Sequence, residues 1–90
     1  MSILVIGGDR LGNIDKNLKG LGFTRIEHVD GRKKRHSQLN ISNQMDAVLV
    51  LTDFVSHNLC KMVKDQAKDM GVKTFFSKRS WSDISKTMAR

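Results

Sequence analysis

At 90 residues the chain makes one domain, residues 1–90, and its core is modest, because a chain of this length buries only about 60–65% of its unfolded surface. Its 39% hydrophobic and 28% charged content is ordinary for a globular protein. No apolar run nears the roughly 20 residues that span a bilayer, and no signal-peptide pattern precedes "SILVIGG", so neither a membrane nor an exported setting is expected. The formal charge of +7 favours anionic partners, and the single cysteine, Cys60, forms no internal disulfide and suits a reducing cytoplasm.

Residues 3–6 form an aliphatic block ended by Gly7 and Gly8, which predicts a strand buried on both faces. Leu11, Ile14, Leu18 and Leu21 then fall on one helix face, and Gly20 and Gly22 close that helix, with Gly22 the better left-handed cap. Residues 23–29 alternate as a strand near a sheet edge does. The stretch "DGRKKRHSQLNISNQMD" is the least regular, with Leu39, Ile41 and Met45 its large apolar residues, and a short helix over residues 34–42 is expected there. Residues 47–51, "AVLVL", read as the central strand.

The polar knot "TDFVSHN" follows. Ser56 or Asn58 can cap a helix, Asp53 can accept loop N–H groups, and Phe54 with Val55 can pack beneath. Leu59, Met62, Val63, Ala67 and Met70 lie at helical spacing up to Gly71, residues 72–76 suggest a fourth strand, and Ser80 with Asp83 opens a last helix carrying Trp81, Ile84 and Met88. The alternation predicts an α/β fold: a three-layer, Rossmann or flavodoxin-like open sheet of four parallel strands in the order 2-1-3-4, with helices on both faces.

Such sheets bind ligands beyond the carboxyl ends of their strands, where the strand order reverses. The loops expected there are "GGDR", "HVDGRKKRH", "TDFVSHN" and "SKRS". They supply Gly7, Gly8, Asp9, Arg10, His28, Arg32, Lys33, Arg35, Thr52, Asp53, Ser56, His57, Asn58, Lys78 and Arg79 as candidate ligand-binding residues. The cations would attract an anion, helix N-termini would offer N–H groups, and Asp53, Ser56, His57 and Asn58 would orient a polar head.

Other chemistries fit less well. Gly7 and Gly12 have P-loop spacing, but Asn13 and Ile14 stand where the phosphate-binding Lys and the Ser/Thr belong. Asp53, Ser56 and His57 contain triad residue types without the G-x-S-x-G elbow. A metal would use His57 and Cys60 with His28 or Asp9, and a haem would use His57 or His28 as axial ligand.

The run "VLVLTDFVSHN", with "VIGG", "HVDGR" and "FSKRSW", resembles a bacterial family catalogued only as a domain of unknown function. The resemblance covers nearly the whole chain and implies a Rossmann-like α/β domain with no established activity. It carries onto Gly7, Gly8, His28, Gly31, Arg32, Thr52, Asp53, Ser56, His57 and Asn58 as motif positions without assigned roles.

The function expected is therefore a non-catalytic module that binds a nucleotide, a phosphorylated metabolite or a phosphate group. The alternatives are a sequence-nonspecific nucleic-acid-binding protein, and a small enzyme or haem- or metal-binding protein using His57. No particular cofactor is indicated. So small a core also admits self-association.

Overall fold

A computed structural model describes residues 1–8, 10–29 and 45–89. In chain order it contains β1 (Ser2–Ile6), α1 (Asn13–Gly20), β2 (Arg25–Val29), β3 (Ala47–Leu51), a 3-10 turn (Thr52–Phe54), α2 (His57–Met70), β4 (Lys73–Ser77) and α3 (Trp81–Met88). The helix expected over residues 34–42 lies outside the described residues.

The strands form one parallel sheet in the order β2-β1-β3-β4, so the expected α/β class and strand order both hold. The aliphatic runs of β1 and β3 occupy the middle because residues there must be apolar toward both faces. Ile3, Val5, Ala47, Leu49 and Leu51 pack toward Ile14 and Leu18 of α1 and Ile84 of α3. The alternate residues Leu4, Ile6, Val48 and Val50 pack toward Leu59, Val63 and Ala67 of α2. Helices thus cover both faces of a sheet four strands wide. At the edge, β2 exposes Arg25, which pairs with Glu27 at 2.8 Å.

Local chemistry sets the element ends. The Ser56 hydroxyl accepts the Leu59 N–H at 3.1 Å and caps α2, while Gly71 ends that helix in the left-handed region at φ 70°. Gly22 takes φ 101° just past α1, as its position after the apolar stripe suggests. Ser80 holds the N-cap position of α3, but its side chain makes no capping hydrogen bond.

Several expectations are corrected in detail. The second strand begins at Arg25 rather than at 23, and Phe23 instead plugs the core ahead of it. The fourth strand is displaced by one residue, to Lys73–Ser77. Leu21 falls just beyond the last turn of α1 and leaves the apolar stripe, so it is exposed. Phe54 does not pack beneath its loop: the 3-10 turn carries it outward, and it is 42% exposed. Val55, back in extended conformation, packs against the α2-side core in its place.

Candidate functional site

The parallel register brings Ile6, Val29 and Val50 level, with Leu51 opposite Ser77, so the segments that follow all emerge at one edge of the sheet. Between β1 and β3 the chain order reverses, which opens the crevice typical of ligand sites in this architecture.

The turn after β1 needs glycine. Gly7 has φ 112°, and a β-carbon there would lie 2.7 Å from Val55 Cγ2 and 3.0 Å from the Leu51 carbonyl oxygen. Its N–H donates to the Val29 carbonyl at 2.8 Å, and its own carbonyl lies 2.9 Å from His28 Nε2. A carbonyl only accepts, so Nε2 carries the proton and donates. His28 therefore braces the back of the glycine turn from the edge strand.

Arg79, in the loop after β4, spans the front. Its main-chain N–H donates to Asp53 Oδ1 at 3.1 Å, and its guanidinium donates to the Arg10 carbonyl at 2.5 Å. A β-carbon on Gly8 would sit 3.7 Å from Arg79 Nε, and one on Gly12 would sit 3.8 Å from its Nη2. The arginine thus lies against a side-chain-free stretch of backbone. Gly8, Arg10, Phe54 and Arg79 line an open depression of about 370 Å³ at this edge. Among the described residues neither guanidinium is in an ion pair with a carboxylate.

The remaining candidates are placed differently. The Thr52 hydroxyl donates to the Ser77 carbonyl at 3.4 Å, tying β3 to β4, and Ser56 is occupied as the helix cap. Lys78 and Asn58 are exposed. His57, also exposed, opens α2 and lines a second depression of about 330 Å³ with Cys60, Lys61, Lys64 and Phe76. His57 and Arg79 therefore line separate depressions. Burial pushes the Cys60 thiol pKa up from its ordinary value. Asp9, Arg32, Lys33 and Arg35 lie outside the described residues, as does Gly31.

Among the described residues no three His, Cys, Asp or Glu side chains gather as a metal-binding set, and no helix is long and apolar enough to cross a membrane. The structure adds Phe54, Lys61 and Lys64 to the depressions. An aromatic residue inside an otherwise polar loop was the available sign for Phe54. Lys61 and Lys64 follow His57 at i+4 and i+7, which is a helix-face signal.

The profile of a family described as "Uncharacterized protein conserved in bacteria (DUF2325)" matches residues 2–90. No curated protein and no solved structure matches the chain.

Proposed function

The chain belongs to this uncharacterised bacterial family, and we propose that it is a non-catalytic module holding an anionic ligand at the carboxyl edge of its sheet. The observation that carries this reading is the Arg10–Arg79 depression. The Arg79 guanidinium lies against glycine backbone at the strand-order reversal and Arg10 lines the same depression, with no carboxylate ion-paired to either arginine among the described residues. Arg79 spends one N–H of its five on the Arg10 carbonyl, so donors remain for a phosphate or carboxylate. Asp53 holds the Arg79 main chain and fixes where the guanidinium starts. The free Cys60 thiol supports a reducing, cytoplasmic setting, and the +7 charge favours anionic ligands.

Titration of the ¹⁵N-labelled protein with inorganic phosphate, pyrophosphate and ribose 5-phosphate tests this reading. Saturable shifts at Gly8, Arg10 and Arg79 are expected, and Arg10→Ala or Arg79→Ala should weaken binding by about ten-fold each. Absence of saturable binding by every anion, or unchanged affinity in both variants, would overturn it.

A second reading has its own support. His57, Lys61, Lys64 and Lys68 are all exposed and follow one another along one face of α2, as a phosphate-tracking surface requires. Binding to duplex DNA that falls steeply with added salt, and that is reduced by combined Lys61→Ala and Lys64→Ala substitution, would favour it.

A further inference from the structure

We propose that the anion is a nucleoside phosphate unit whose base stacks on the Phe54 ring. This rests on the anion-binding reading above and names its ligand class. Among the described residues the large hydrophobics left exposed are Met1, Leu21, Phe54 and Met70, and Phe54 is the one with an aromatic ring. It also lines the same depression as Arg10 and Arg79.

Phe54 is not serving the core. Val55 fills the packing position beneath this loop, and the 3-10 turn after the central strand directs Thr52, Asp53 and Phe54 outward together. A phenyl ring exposed in the depression that Arg10 and Arg79 also line can serve as a stacking platform for a ligand whose phosphate the arginines hold. Every nucleobase presents a π-face to such a ring, and single-strand and nucleotide sites use this pairing. The volume of about 370 Å³ falls in the range of small-ligand sites.

The same chemistry is offered by a free nucleotide and by a single strand of nucleic acid. Calorimetry on the full chain with AMP, ribose 5-phosphate and a short oligothymidylate separates them and tests the stacking. AMP should bind roughly ten-fold or more tightly than ribose 5-phosphate. Phe54→Ala should abolish that preference by weakening AMP more than ribose 5-phosphate, and Phe54→Trp should restore it. An oligothymidylate that binds more tightly than AMP, through Phe54, identifies the strand as the source. Weaker or equal binding of the oligomer identifies the free nucleotide. If ribose 5-phosphate binds and AMP binds no better, or if Phe54→Ala keeps the preference, the stacking inference fails and the anion site stands. If neither phosphate compound binds, the stacking inference fails, and the anion site fails with it when inorganic phosphate and pyrophosphate do not bind either.

Discussion

The Arg79 guanidinium donates to the main-chain carbonyl of Arg10 at 2.5 Å, joining positions 69 residues apart across the carboxyl edge of the sheet. With the Asp53 contact to its N–H, Arg79 couples the loops that follow β1, β3 and β4. Arg79→Ala should accelerate amide hydrogen exchange at Gly8 and Gly12, and global stability should fall by only about 1 kcal/mol or less, because the contacts are exposed. Exchange measured by NMR, alongside urea denaturation, checks both parts; unchanged exchange in the glycine turn would show that the loops are not coupled this way.

Gly7 and Gly20 should respond oppositely to alanine. At Gly7 a β-carbon meets Val55 and the Leu51 carbonyl at a positive φ, and a loss of about 2 kcal/mol or more is expected. At Gly20, in the last turn of α1, nothing lies within 4 Å, and alanine should stabilise by about 0.5–1 kcal/mol. Chemical denaturation of the two variants decides the matter.

Ser56 and Ser80 both hold N-cap positions, yet only Ser56 makes a capping hydrogen bond. Ser56→Ala should cost about 1 kcal/mol, whereas Ser80→Ala should change the thermal midpoint little. Equal effects would mean that the hydroxyl of Ser80 caps in solution.

The Cys60 thiol is partly buried, which raises its pKa by disfavouring the thiolate. Its contribution to folding is present below the ordinary thiol pKa and is lost as pH rises through the higher folded value. Alkylation by iodoacetamide near pH 8 should therefore be slower in the native protein than in urea, with its rate-versus-pH midpoint displaced to the alkaline side. An equal midpoint in both states would contradict the burial effect.

The sheet was legible because its signals are long and redundant. Uninterrupted aliphatic runs in β1 and β3 carry burial on both faces, and the glycines after α1 and α2 take the positive φ that ends a helix there. The edge strands were blurred because Phe23 and Val72 are apolar for reasons of packing, one beside each core layer, without belonging to β2 or β4. Within the site, Arg10, Asp53 and Arg79 could be assigned to one edge from strand order alone. Whether neighbours in sequence share a depression could not, because a 3-10 turn and a helix start point Phe54 and His57 into different ones. That distinction depends on side-chain direction over a few residues, where hydrophobic periodicity is silent.

All three strand pairings are parallel, and β1 lies between β2 and β3. Among the described residues no hairpin is available to seed the sheet. As the chain leaves the ribosome, β1 can meet β2 at once, but its other side waits while residues 30–46 are added, on the order of one to four seconds at typical rates of synthesis. Until Ala47–Leu51 emerges, Ile3 to Ile6 offer an open apolar edge to any other strand, so the newborn protein is most vulnerable to mispairing during that interval.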